Sequence, residues 1–332
     1  MNDYIKDRVT IYEVAKASGF SLATVSRVIN NHSNVTEKTR KKVQETIARL
    51  GYKPSAVAQA LATNRSTTIG IVIPRANYVY ISNMLNGLTE AARDRGYVLS
   101  LFVTSHSKEE ALSAMNKVIT SHVDGAIIFD DELDVGDAQK ISSYQVPVIA
   151  VNNKVTGDKV ACLTFGYENL LRRILRDYFE SGDKKMYFLH VHNAGRLLAR
   201  IERAFVATHI EDGRNYGILS CDDSYTKTYH DFLDFFKTTK SGYFLAYRDS
   251  LAAAIINAAG DSNLRVPEDV EVLSIIGTKY ANILRPTISS MYIDMQLVGR
   301  KAMEMLADLM ENKLEKKQIK VESTLIKRDS TI

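Results

Sequence analysis

The residues of this 332-residue chain best suited to chemistry lie near its start, and the chemistry they suit is recognition. Ser21-Leu22-Ala23-Thr24-Val25-Ser26-Arg27 sets hydroxyls and a guanidinium along about two turns of a helix. A guanidinium can grip guanine through two parallel hydrogen bonds, or pair with a phosphate. Thr24, Ser26 and Asn30 are sized for phosphate oxygens. Bond-breaking sets are missing. Asp130, Asp131 and Glu132 form an acidic run near a strand end, with no nucleophile or metal set beside it. His190 and His192 alternate on one face of a strand end, and a metal would need further ligands. Cys162 and Cys221 have no metal or redox spacing. No nucleotide-binding or hydrolase motif is found. The chain is expected to be no enzyme and to need no cofactor.

Charge points the same way once it is mapped. The net charge is +4, but residues 1–65 hold eleven basic and five acidic side chains, a surplus of +6. The other 267 residues carry −2. A compact basic unit on a mildly acidic body predicts a polyanion partner, most simply nucleic acid. Hydrophobic residues at 45% and charged residues at 25% describe a globular chain. Apolar runs such as Ile69–Ile73 fall far short of the ~20 residues of a membrane span. MNDYIKDRVT has no apolar stretch resembling a signal peptide, and two distant cysteines fit a reducing compartment. A cytoplasmic protein without membrane contact is expected.

The elements that would position Arg27 are three short helices. Thr10-Ile11-Tyr12-Glu13 reads as a capping box, and Gly19 stops the first helix. Ser21 caps a second helix running to about Asn30. Thr36 starts a third, with Val43, Ile47 and Leu50 inward, ended by Gly51 and Pro54. Two helices on a glycine turn, braced by a third, form a helix-turn-helix pattern. Its second helix can enter the major groove. The helix Ser55–Ala62 is too short to stand alone in water.

Val9–Lys16, Ser21–Asn30 and Gly51-Tyr-Lys-Pro54 together resemble the DNA-binding headpiece of the lactose-repressor (LacI/GalR) family. The resemblance implies that Leu22, Ala23 and Arg27 face the bases, with Thr24, Ser26 and Asn30 toward phosphates. Leu22 and Ala23 can touch a thymine methyl but cannot hydrogen-bond a base. It further implies a hinge helix over residues 55–67 that folds on DNA. Ser55, Ala58 and Leu61 would then lie at the minor groove, with Leu61 as a wedge between base pairs. Ser55 stands where the family usually has Asn, and Ala62 where many members have a cation.

From Thr68 strands and helices alternate: Ile69–Ile73, Ser82–Arg95, Val98–Val103, Glu109–Ser121, Gly125–Phe129 and Val146–Val151, then a second such series through Val270–Ile276. The order predicts parallel sheets with ligands beyond the strands' carboxyl ends. His122–Ile128, Val146-Pro147-Val-Ile, Val266–Leu273 and Arg285-Pro-Thr287 extend the resemblance. It implies an all-α headpiece (1–54), a hinge (55–67) and an α/β two-lobed body (68–332). That body would resemble periplasmic binding proteins and serve effector binding and dimerisation. The first lobe would take 68–165 and 291–319, with the second taking 166–290 and 320–332. Crossings are expected near Phe165, Ser290 and Ile319.

At the cleft the sequence departs from the family. Arg248-Asp249 replaces an Asn-Asp pair, and Gly277-Thr278-Lys279 replaces a stretch rich in Asp. Asp249 is expected to cap the helix from Ser250. Candidate effector contacts are Tyr80, Asp130, Asn152, Arg200, Arg248 and Thr278. Arg200 and Arg248 suit an anion such as a sugar phosphate, or salt bridges to Asp130 or Asp131. A phosphorylated carrier protein is disfavoured, because Glu304 and Asp308 occupy the positions of its basic contacts. The expected function is a homodimeric regulator, a repressor of carbohydrate-related genes, on a palindromic operator, modulated by a sugar or phosphosugar. The alternative is a cytoplasmic solute sensor without direct repression.

Overall fold

The computed structural model describes residues 9–54, 66–74, 79–104, 108–129, 133–192 and 194–332. The chain divides into two compact units, Met1–Thr67 and Thr68–Ile332.

In the first unit lie α1 (Ile11–Ser18), α2 (Leu22–Ile29) and α3 (Glu37–Leu50). Each start is fixed by a side chain: Thr10, Ser21 and Thr36 accept the amide three residues on. Thr10 and Glu13 close a full capping box. Gly19 and Gly51 end α1 and α3 at φ 76° and 66°, in the left-handed region that glycine enters without steric cost. Helices this short hold only by sharing a core. Val14, Val25, Val28 and Val43 form it, with Phe20, Ile47 and Leu50 packed around them.

The second unit runs β1 (Thr68–Pro74), α4 (Val79–Asp94), β2 (Val98–Thr104), α5 (Lys108–Thr120), β3 (Gly125–Phe129), α6 (Val135–Ser143), β4 (Val148–Val151) and β5 (Val160–Phe165). It continues with α7 (Tyr167–Ser181), β6 (Met186–Val191), α8 (Arg196–Glu211), β7 (Tyr216–Cys221), α9 (Tyr225–Thr238), β8 (Gly242–Arg248), α10 (Asp249–Asp261) and β9 (Val270–Ile276). Last come α11 (Tyr280–Ile283), β10 (Ser289–Tyr292), α12 (Met295–Met310), β11 (Gln318–Val321) and β12 (Thr324–Ile326). Two six-stranded sheets result, in the orders β11-β5-β4-β3-β1-β2 and β12-β10-β9-β8-β6-β7. Every pairing is parallel except β10 with β12.

The period of two along a strand decides what each face buries. In the first sheet Ile69, Ile71, Ile73, Ile127 and Ile149 join one core with Met84, Leu88, Val298 and Leu306 of α4 and α12. Val72, Ala126, Ile128, Val148 and Cys162 join another with Met115 and Val118 of α5. A Cβ at Gly87 would overlap the Gln296 carbonyl, and one at Gly299 the Met84 carbonyl, so α4 and α12 cross at backbone contact. Burial lifts both cysteine thiols to about 11, which makes them core residues rather than nucleophiles.

The chain passes between the sheets three times. The first passage follows Phe165. The second follows Tyr292 instead of Ser290, because the antiparallel ladder to β12 holds β10 through Tyr292. The third follows Val321 instead of Ile319, because β11 stays paired with β5 through Val321.

Candidate nucleic-acid interface and ligand cleft

In α2 the apolar positions Val25 and Val28 turn into the valine core. That leaves Leu22, Ala23 and Arg27 exposed, with Thr24, Ser26 and Asn30 half-buried. Leu22 is 37% exposed, on the side of α2 away from the valine core. Ser21 Oγ accepts the Thr24 amide at 3.2 Å and lies 3.0 Å from the Thr24 hydroxyl. Asn30 Nδ2 donates to Ser26 Oγ at 3.4 Å, leaving the Asn30 carbonyl oxygen for another donor. Among the described residues, Arg27 makes no ion pair and its guanidinium no hydrogen bond. An exposed cation on a short helix with small hydroxyls around it can meet a phosphate or a base edge. Ser55, Ala58 and Leu61 lie outside the described residues.

The carboxyl ends of the parallel strands carry the second group. Asn152 follows β4, sits at φ 62° and is 4% exposed. Its Oδ1 accepts from Arg200 Nη2 at 3.3 Å. Arg200 Nε donates to Glu168 Oε1 at 3.0 Å. Asn152 belongs to the first lobe, while Arg200 on α8 and Glu168 on α7 belong to the second, so one guanidinium spans both. Arg248, at the end of β8, pairs with Asp223 and lies 5.1 Å from the centre of the Tyr247 ring. Thr278, after β9, donates its amide and hydroxyl to Asp249 Oδ2 at 2.7 and 2.6 Å. Tyr80 lies in α4 with its side chain outside the described residues, as is Asp130.

Two expectations change here. Asp249 does not cap a helix from Ser250; it is the first residue of α10, and its carboxylate ties down the loop after β9. The arginines are paired with Glu168 and Asp223, two acids that the sequence reading did not single out. Glu168 lies in the first turn of α7 and Asp223 in the connection from β7 to α9, each just past a strand end, which is the one signal that marks them. His190 Nδ1 lies 2.7 Å from Glu202 Oε2, and His192 Nε2 lies 2.8 Å from Ser220 Oγ. Among the described residues no group of three His, Cys, Asp or Glu side chains is arranged for a metal. No helix among them is long and apolar enough to cross a membrane.

Comparison with known proteins places both units. Residues 10–55 match the bacterial regulatory proteins of the lacI family, and residues 235–331 match a periplasmic binding protein-like domain. The chain is 30% identical over 311 residues to catabolite control protein A of Staphylococcus xylosus, covering 91% of this chain and 92% of that one. It is 30% identical over 336 residues to the HTH-type transcriptional regulator pepR1 of Lactobacillus delbrueckii subsp. lactis, covering 98% and 99%. A lac repressor dimer bound to operator and the anti-inducer ONPF superposes with a TM-score of 0.85 at 24% identity, over 98% of this chain and 100% of that one. A chain with this headpiece, this body and these full-length relatives belongs to the lacI family of bacterial regulatory proteins and is a DNA-binding transcriptional regulator.

Proposed function

We propose that the chain is a cytoplasmic homodimeric repressor of carbohydrate-related genes on a near-palindromic operator. Its two copies of α2 enter successive major grooves. Leu22, Ala23 and Arg27 face base edges, and Thr24, Ser26 and Asn30 face phosphates. Ser55, Ala58 and Leu61 open the minor groove between the half-sites. The observation that carries this reading is Arg27: an exposed guanidinium with no ion pair among the described residues, on a unit with a surplus of +6. Affinity for a duplex selected by the chain from a random library should fall steeply with salt, through counterion release. A flat response refutes the reading. Leu61→Ala should weaken binding to that duplex far more than to unrelated DNA, and equal losses would remove the wedge.

For the cleft, we read Asn152, Arg200, Arg248 and Thr278, with Tyr80 and Asp130, as contacts of a small polyhydroxylated ligand. Solved relatives hold cellobiose and lactose. Arg200 and Arg248 are already neutralised by carboxylates, which favours a neutral sugar over a phosphosugar. A ligand that exchanges with the Asn152–Arg200 contact shifts the lobes, and with them the affinity for DNA. A melting-temperature screen of neutral and phosphorylated sugars tests this. A shift produced by phosphosugars alone reverses the preference.

A further inference from the structure

We infer that Arg40 is a positioning residue for DNA recognition, a clamp that fixes the backbone beneath Arg27 without touching DNA itself. The inference rests on the reading of Arg27 as a base contact. Past α2, Asn31 adopts φ 53°, its amide donates to Val28 O at 3.1 Å, and the His32 amide donates to Arg27 O at 2.9 Å. This pair of bonds is a Schellman turn, and the carbonyl it closes on is that of Arg27. A left-handed turn on Asn is less favourable than one on Gly, so an anchor from outside adds to its definition. Arg40 of α3 secures it from outside: Nη1 donates to Asn31 Oδ1 at 2.8 Å and Nη2 to His32 O at 2.7 Å. Its Nε lies 3.8 Å from Glu37 Oε2, and the side chain is only 15% exposed. The fork is thus consumed within the headpiece. Although Arg40 belongs to the basic surplus, it is not a phosphate contact. On the same helix, Lys42 lies over the Phe20 ring at 5.5 Å, so α3 grips the chain on both sides of α2.

Arg40→Lys keeps the charge but cannot span two acceptors with a planar fork. On a duplex selected by the wild-type chain from a random library, this variant should bind about tenfold more weakly, while an unrelated duplex of equal length changes less than about twofold. The slope of log affinity against log salt should stay at the wild-type value, since no phosphate contact is lost. Arg27→Ala combined with Arg40→Lys should lose little more than Arg27→Ala alone, because the clamp acts through Arg27. Should Arg40→Lys fail to fold, Asn31→Gly removes one acceptor while keeping the left-handed turn, and should show the same preference for weakening the selected duplex. Wild-type binding by Arg40→Lys, equal losses on both duplexes, a lowered salt slope or additive losses in the double variant each overturn the clamp. An Arg27→Ala variant that binds the selected duplex like wild type overturns the recognition reading underneath it.

Discussion

Arg27 in the headpiece and Arg200 and Arg248 in the body are the same side chain under opposite conditions. Arg27 is exposed and makes no ion pair among the described residues, on a helix whose inward face is two valines. Arg200 and Arg248 are mostly covered and each is matched by a carboxylate. An unpaired exposed cation costs little in water and holds its full attraction for a polyanion in reserve. A covered cation must be matched where it stands, or it destabilises the fold. The headpiece thus presents a cation to charge from outside, whereas the cations past the strand ends of the body are neutralised from within.

The largest test of that contrast lies where pairing is most complete. Lys184 Nζ and Glu271 Oε1 are 2.9 Å apart with side chains 9% and 2% exposed, and Glu271 also accepts from the Tyr178 hydroxyl and the Ile332 amide. Glu271→Ala strands a covered ammonium and should lower the stability of the body by about 3–5 kcal/mol, read by urea denaturation. A loss below about 1 kcal/mol would mean that covered charge is not what the body depends on. Next in size, Arg27→Ala should cost about 1–3 kcal/mol of specific DNA binding and leave the melting temperature unchanged, since the side chain holds nothing in place. A drop in melting temperature would show that Arg27 is a structural cation after all.

The same contrast explains what the sequence could reveal. Local rules set the headpiece: the caps at Thr10, Ser21 and Thr36 and the glycines at 19 and 51 act within four residues, so they can be read directly. The alternation of strands and helices in the body was equally legible, because parallel sheets need long apolar runs. β5 escapes that reading because it follows β4 with no helix between them, so the alternation of strand and helix leaves no place for it. β10 to β12, with three or four residues each, carry no periodicity at all. The partners of Arg200 and Arg248 were missed for a further reason. Glu168 is 32 residues from Arg200 in sequence, and Asp223 comes from a different βα loop, so only the sheet order brings them together.

A smaller effect separates pairing from mere proximity in the cleft. Glu168→Ala removes the acceptor of Arg200 Nε, a charged hydrogen bond that should be worth about 1–2 kcal/mol to the body. It also leaves Arg200 with Asn152 as its remaining hydrogen-bond partner among the described residues and gives the cleft an uncompensated positive charge. Sulfate should then raise the melting temperature of the variant more than that of the wild-type chain. Equal shifts would show that Glu168 does not silence Arg200.

The smallest effect belongs to the headpiece and depends on pH. Glu13 accepts the Thr10 amide at 2.6 Å and the Thr10 hydroxyl at 2.9 Å, and these bonds hold its carboxyl below its ordinary value of 4.5. A group whose acidity rises on folding binds fewer protons folded than unfolded. The stabilisation is therefore complete above the ordinary glutamate range and disappears as pH falls through the lowered value. Because Glu13 is exposed, the change should appear as fraying of α1 rather than loss of the valine core. Amide exchange at Glu13 and Val14, whose amides point back at Thr10, should accelerate below that range relative to exchange at Val25, once both are corrected for intrinsic rates. Glu13→Gln, which keeps an acceptor but cannot titrate, should flatten that difference. If the relative exchange is independent of pH in the wild-type chain, the capping box does not contribute through the charge of Glu13, and local pairing matters less to the headpiece than its valine core.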